Sequence, residues 1–321
     1  MTAAWGFYKE EKKMEIKSAA LIGLGAMGVF FAPRMEEHLG RERFCVIAEG
    51  DRKKRLESRG VMVNGVNYHF PVCEPKDGEP KDLIIMAVKD MGLDQAIKDI
   101  RRFVGDRTQI LCVMNGVESE ERVAAVYGWD HVLYSYMRVS IVMKDGRADF
   151  DRYWGKVHFG EARNEELTER TVAVKKLFEY CDIPYEIDKD MLWGLWFKFM
   201  CNVGENLTCA LLGVPFGAYG VSKAANKIRW AAMKEVQAVA EMKGIYISEE
   251  VMKGQSETLL EIPYKNKPST LQDLEAGKKT EVEMFAGSMV KMGQDLGIPT
   301  PICWMFLEGI RVLEEKNEGR I

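Results

Sequence analysis

Residues 18–28 read Ser-Ala-Ala-Leu-Ile-Gly-Leu-Gly-Ala-Met-Gly, and their reading decides the fold. The small and aliphatic run at 18–23 predicts a short strand buried on both faces. Gly23-Leu24-Gly25-Ala26-Met27-Gly28 follows at once, and 29–39 reads as a helix. A strand that passes through G-x-G-x-x-G into a helix is built to hold the pyrophosphate of a dinucleotide. Gly23 permits the tight turn, Gly25 lets the backbone come close, and Gly28 lets the helix pack on the sheet. The helix N-terminus then offers unpaired N–H groups and the positive end of its dipole. The plain alternative is a strand-to-helix turn without a ligand.

Working outward, further buried strands are expected at 44–48, 82–88 and 110–114, with helices at 93–103 and 119–127 between them. Later strands are expected within 132–142 and 156–159, with a hairpin-like edge at Asp145-Gly146. A helix at 165–180 and a short strand at 185–187 follow. Continuous apolar strands alternating with helices predict an α/β fold, a Rossmann-type doubly wound parallel sheet. After about residue 188 strand signals nearly vanish, and helices are expected at 191–212, 222–243, 249–260, 281–296 and 302–315. The chain has 321 residues, more than one core usually serves. The expected division is a dinucleotide-binding domain at 15–187 and an all-helical domain at 188–321, facing each other across a cleft.

Composition narrows the function. Net charge is −4 and hydrophobic residues make up 47%, so no basic excess steers the chain onto nucleic acid. The run Arg52-Lys53-Lys54-Arg55 reads as a solvated helix face. Seven cysteines are scattered without a C-x-x-C pair, and the four histidines lack metal-like spacing. Reduced thiols, no metal and a cytoplasmic location are expected. Residues 1–14 carry no apolar core of a signal peptide. The apolar stretch at 191–219 is interrupted by Lys198, Asn202, Glu205 and Asn206, which argues against a membrane span.

The chemistry concentrates around Lys198-Phe-Met-Cys-Asn202-Val-Gly-Glu-Asn206. On a regular helix Lys198, Asn202 and Asn206 lie at i, i+4 and i+8 and share one face. A cation and two amides on an apolar helix need partners, and an oxygen-rich ligand supplies them. The alternative is a lysine that snorkels to solvent while the amides cap neighbours. Between aromatic neighbours the lysine's pKa falls, which suits a proton donor near neutral pH. Lys89 and Asn115 each follow a predicted strand, at the sheet edge where ligands bind; an ordinary loop lysine and an Asn-Gly turn are the alternatives. Thr280 and Glu283 form a capping-box pattern that leaves Glu281 free to sit beside Lys198 and keep it charged. Ser269 opens a helical segment, where a carboxylate is welcome. Glu49, 21 residues after Gly28, suits ribose hydroxyls and NAD(H), whereas Arg52 and Lys53 suit a 2′-phosphate; a surface acid is the alternative.

These pieces resemble the ketopantoate reductase (2-dehydropantoate 2-reductase) family. GLGAMG at 23–28, Lys89, NGV at 115–117, KFMCNVGENLTCAL at 198–211, PSTLQDLEAGKKTEVE at 268–283 and GIPTP at 297–301 occur in the family's order. The resemblance implies reduction of 2-dehydropantoate to pantoate, in the route to pantothenate and coenzyme A, with NADP(H) the usual cofactor. It implies Lys198 as proton donor, and Asn202, Asn206 and Ser269 against the substrate. Asn115 would lie between cofactor and substrate, Glu281 would touch the cofactor and position Lys198, and Lys89 would line the nicotinamide side. Three departures stand out: Glu49 near the place of an arginine for the 2′-phosphate, Phe216 at the place of a substrate-side asparagine, and about 15 additional N-terminal residues. A β-hydroxyacid dehydrogenase or other 2-oxo acid reductase is the alternative of the same chemistry, and a nucleotide-sensing protein without catalysis the alternative of another class. The expected partner is a small 2-oxo acid, and a homodimer through the helical domain fits this family shape.

Overall fold

The computed structural model describes residues 13–321. Residues 1–12 of the stretch lacking a signal-peptide core lie outside the described residues. The first half contains β1 (Ala19–Ile22), α1 (Gly28–Leu39), β2 (Phe44–Ile47), α2 (Gly50–Arg59), β3 (Val61–Val63), β4 (Val66–Tyr68), β5 (Val72–Cys73) and β6 (Leu83–Met86). It continues with α3 (Leu93–Asp99), β7 (Gln109–Cys112), α4 (Ser119–Tyr127), β8 (Val132–Arg138), β9 (Met143–Lys144), β10 (Arg147–Ala148), β11 (Lys156–Gly160), α5 (Glu169–Tyr180) and β12 (Tyr185–Glu186).

The main sheet runs β5-β2-β1-β6-β7-β8-β11-β12. Its first six strands are parallel, β11 is antiparallel to β8, and β12 runs parallel to β11. Every residue of β1, β2, β6 and β7 is buried. Helices cover both faces, so these strands are continuously apolar instead of alternating. Two separate apolar clusters, one on each face, form the core. The chain builds outward from β1 through β2 to β5, then returns to β6 on the other flank of β1. That reversal opens a crevice beyond the carboxyl ends of β1 and β6.

Two expectations fail at the edge. The strand from 132 stops at Arg138 and does not reach 142. The hairpin at Asp145-Gly146 forms, both residues at positive φ as a tight two-residue turn demands. It joins β3 and β4 in a separate sheet of order β4-β3-β10-β9 instead of extending the main one. That small sheet contains a second such turn, Asn64-Gly65, at φ 49° and 82°.

The second half is helical: α6 (Met191–Cys201), α7 (Leu207–Leu212), α8 (Lys223–Met242), α9 (Glu249–Glu261), α10 (Ser269–Glu275), α11 (Ser288–Leu296) and α12 (Pro301–Asn317). Asp190 caps α6, its carboxylate accepting from the Trp193 N–H. A π-helical turn, Asn202–Asn206, joins α6 to α7, and a second one, Glu283–Gly287, leads into α11. Phe199, Met200, Val203, Phe285, Met289 and Phe306 make the centre of this half. Val117 and Tyr136 of the first half belong to the same cluster, so the two halves share apolar packing. No helix among the described residues is long and apolar enough to cross a membrane.

Candidate active site

The glycine loop has the shape its sequence predicts. Gly23 sits at φ 96°, and a Cβ there would lie 2.5 Å from the Ala87 carbonyl carbon. A Cβ on Gly28 would run into the Gly23 carbonyl oxygen, whereas one on Gly25 would meet nothing within 4 Å. Gly25 therefore faces open space between two crowded neighbours. Leu24, Gly25, Ala26 and Met27 are partly exposed. Helix α1 starts without a side-chain cap or an acid in its first turn, so the positive end of its dipole is left uncompensated for an anion. These features fit a dinucleotide pyrophosphate. Beyond β2, Glu49 is exposed and does not cap α2 with its side chain. Lys53 is bound to Glu74 at 2.8 Å, which leaves exposed Arg52 as the basic neighbour open to a 2′-phosphate.

Across the crevice, Lys198 Nζ donates to Asn115 Oδ1 at 2.9 Å, and Asn115 Nδ2 donates to Glu281 Oε2 at 3.0 Å. A carboxylate only accepts at neutral pH, so Glu281 fixes which end of the Asn115 amide meets Lys198. Glu281 is beside Lys198 as expected, with Asn115 standing between them, and it favours the ammonium's charge through space. Burial lowers the Lys198 pKa to about 8, the nearby Arg138 lowers it too, and Glu281 and Glu120 oppose the fall. The loop carrying Asn115 is clamped to the second π turn. A Cβ on Gly116 (φ 102°) would lie 2.9 Å from the Met284 sulfur, and Ser288 Oγ donates to Glu118 at 2.7 Å.

The row of amides survives, though not on a regular helix. The π turn places an extra residue between α6 and α7, and Leu207 N donates five residues back to Asn202 O. Cys201, Asn202 and Asn206 are partly exposed while Val203, Gly204 and Glu205 are buried. Asn206 Nδ2 donates to Asn202 Oδ1 at 3.0 Å. Among the described residues, that leaves the Asn202 Nδ2 donor and the Asn206 Oδ1 acceptor open toward the crevice. Glu205, on the opposite side of the turn, meets Arg229 of α8 at 3.2 Å, and both are almost wholly buried. Gln255 Nε2 also donates to Glu205, and Arg229 donates to Ser256 Oγ. Burial raises the Glu205 carboxyl despite Arg229's opposing pull.

The remaining expected residues are more scattered. Ser269 is exposed at the first turn of α10; that helix packs against the Asn202–Asn206 turn, but no hydrogen bond ties the Ser269 hydroxyl to the group around Lys198. Lys89 pairs with Asp273 of the same helix at 3.1 Å, a bond that spans the crevice. Phe216 packs with Cys209, Tyr219 and Leu259 in a small separate cluster. Only half of the capping box forms. Thr280 Oγ1 accepts from the Val282 N–H at 3.2 Å and donates to Glu314, while Glu283 takes both ends of Arg311 instead of reaching back. The long α12 brings better-placed charges to both residues than the local turn can.

Three features lie outside the sequence reading. One is the pair of π turns, which no side-chain spacing announces. Another is Glu120, buried on α4, which accepts from the Ser119 hydroxyl and the Ser135 N–H and whose carboxyl burial pushes up to about 7. The third is Arg138, exposed at the end of β8 with its guanidinium 5.8 Å from the Phe197 ring centre. Each depends on segments distant in sequence.

The family profile described as ketopantoate reductase PanE/ApbA matches residues 19–164, and its C-terminal counterpart matches residues 190–314. A 2-dehydropantoate 2-reductase of Streptococcus pyogenes is 25% identical over 301 residues, covering 92% of this chain and 97% of that protein. Among solved structures, D-mandelate dehydrogenase with NADH and anilino(oxo)acetate superposes with a TM-score of 0.81 at 21% identity, over 94% of this chain and 99% of that one. A PanE/ApbA family ketopantoate reductase from Ralstonia eutropha gives 0.78 at 21% identity, with the same coverage.

Proposed function

Because the chain belongs to the ketopantoate reductase PanE/ApbA family, we propose that it reduces 2-dehydropantoate to pantoate with a nicotinamide cofactor. Residues 15–187 hold the dinucleotide and 188–321 hold the substrate. The observation that carries this reading is the chain Lys198–Asn115–Glu281 at the carboxyl edge of the sheet, where the glycine loop also opens.

The bound nicotinamide supplies hydride to the ketone carbon. Everything else falls to side chains. Lys198 holds the ketone oxygen and donates its proton as the alkoxide forms. Asn115 accepts from the same ammonium and keeps it aimed, and Glu281 prevents the Asn115 amide from turning over. Asn202 and Asn206 offer one donor and one acceptor to the substrate's oxygens, and Ser269 adds a hydroxyl from α10. Lys89, bound to Asp273, ties α10 to the sheet edge beside the cofactor.

The Lys198 pKa near 8 sets the sign of the pH dependence. The donor is the protonated form, so kcat/KM for reduction is expected to stay level below about 8. Above that it should fall about tenfold per pH unit. The reverse oxidation should rise over the same range. A reduction profile that stays level to high pH would remove Lys198 as the donor.

Loss of absorbance at the reduced-nicotinamide band, with ketopantoate and with NADPH or NADH, tests the whole reading. Turnover with either is the expected result. NADH preferred points to Glu49 at the ribose, and NADPH preferred points to Arg52. Phe216 in place of an asparagine favours a second reading, reduction of a more apolar 2-oxo acid. Turnover of benzoylformate with none of ketopantoate would establish it. Tight cofactor binding with no turnover of any 2-oxo acid would instead support a nucleotide sensor.

A further inference from the structure

We infer that Arg138 anchors the substrate's carboxylate, and so makes the enzyme selective for 2-oxo acids over neutral ketones; the inference rests on the proposed reductase activity. Arg138 is the last residue of β8. That strand runs parallel to β7, so Arg138 emerges at the same sheet edge as Asn115. Its guanidinium lies 5.8 Å from the ring centre of Phe197, the residue before Lys198, and 5.9 Å from that of Tyr136. The Tyr136 hydroxyl, which donates to Asp188 at 2.6 Å, is its polar neighbour.

Charge is the second observation. Arg138 is exposed, and its nearest acid is Asp188, which lies beyond the shared Tyr136 hydroxyl and feels the guanidinium's charge without forming an ion pair with it. Its field reaches the partly exposed Lys198 and Cys201 of α6 and also the buried Glu205. Two cations within reach of each other's field raise the energy of the empty site. A carboxylate placed between them removes that repulsion.

A 2-oxo acid carries its carboxylate and its ketone on adjacent carbons. With the ketone oxygen on Lys198, the carboxylate falls on the side of Arg138. The planar guanidinium can then take both carboxylate oxygens at once. The Phe197 and Tyr136 rings hold the fork in orientation by cation–π attraction. A neutral ketone brings no charge to meet Arg138 and leaves the repulsion in place.

The test compares the full-length enzyme with Arg138→Met and Arg138→Lys, using whichever of ketopantoate and benzoylformate the wild type reduces. Arg138→Met should raise KM about 10- to 150-fold, the loss of a charge-assisted hydrogen bond, with kcat changed far less. Arg138→Lys should recover part of that loss, since it keeps the charge but not the fork. The alkaline limb of kcat/KM should move to higher pH in Arg138→Met, because the cation that depresses Lys198 is gone. A merely structural role would not move that limb. Unchanged cofactor affinity and melting temperature confirm that the variants are folded. Unchanged KM, or a loss confined to kcat, in such a variant overturns the inference. A wild type that reduces no 2-oxo acid overturns the underlying reading instead.

Discussion

Replacing Lys198 by alanine is expected to lower turnover about 10²- to 10⁴-fold, the range for loss of a positioned general acid. The structure explains why no neighbour should substitute. Asn115 and Asn202 are amides with no transferable proton in this range. Glu120 is buried against Ser119 and Ser135. Arg138 lies against the Phe197 and Tyr136 rings. The proposed cofactor contacts lie mainly on the glycine loop, so affinity for the reduced nicotinamide should persist within severalfold. The combination to measure is single-turnover hydride transfer alongside cofactor titration. Hydride transfer at the wild-type rate in Lys198→Ala would sink the assignment. Lys198→Arg is a useful companion. It keeps a cation at the site but holds its proton too tightly to donate it, so it should remain slow.

The second large effect concerns stability. Arg229→Ala is expected to cost about 3–5 kcal/mol, because it leaves Glu205 buried without its cation. The pair lies beneath the π turn that presents Asn202 and Asn206, so the loss should also loosen the substrate side of the site. Denaturant unfolding would give the number. The double variant Glu205→Leu with Arg229→Met tests the cause, since two apolar residues of similar size need no mutual charge. Recovery of most of the stability is the expected outcome. An Arg229→Ala protein within about 1 kcal/mol of wild type would show that the buried pair is not what holds the turn.

Much of the fold is legible in local pattern. The strands β1, β2, β6 and β7 are unbroken apolar runs bounded by glycine or charge, and the glycine loop announces its own geometry. The candidate residues Lys198, Asn202, Asn206, Asn115 and Glu281 were also legible, because polar groups on apolar elements stand out. The small hairpin sheet was less so. Its strands are two or three residues long, too short to show alternation. The capping box at Thr280 formed only in part: Thr280 accepts from the Val282 N–H, but Arg311 of the distant α12 took Glu283.

Sequence alone therefore established the α/β plan and the shape of the glycine loop, and singled out the candidate residues of the proposed site, because each is written within a few consecutive residues. Tertiary structure decided the rest: that Asn115 stands between Lys198 and Glu281, that a π turn carries the two asparagines, and that Arg138 meets the Phe197 ring. These arrangements join residues such as Asn115 and Glu281, separated by 166 positions. Their geometry, and the pKa of Lys198 that follows from it, arise from burial and field, and both exist only once the chain has folded.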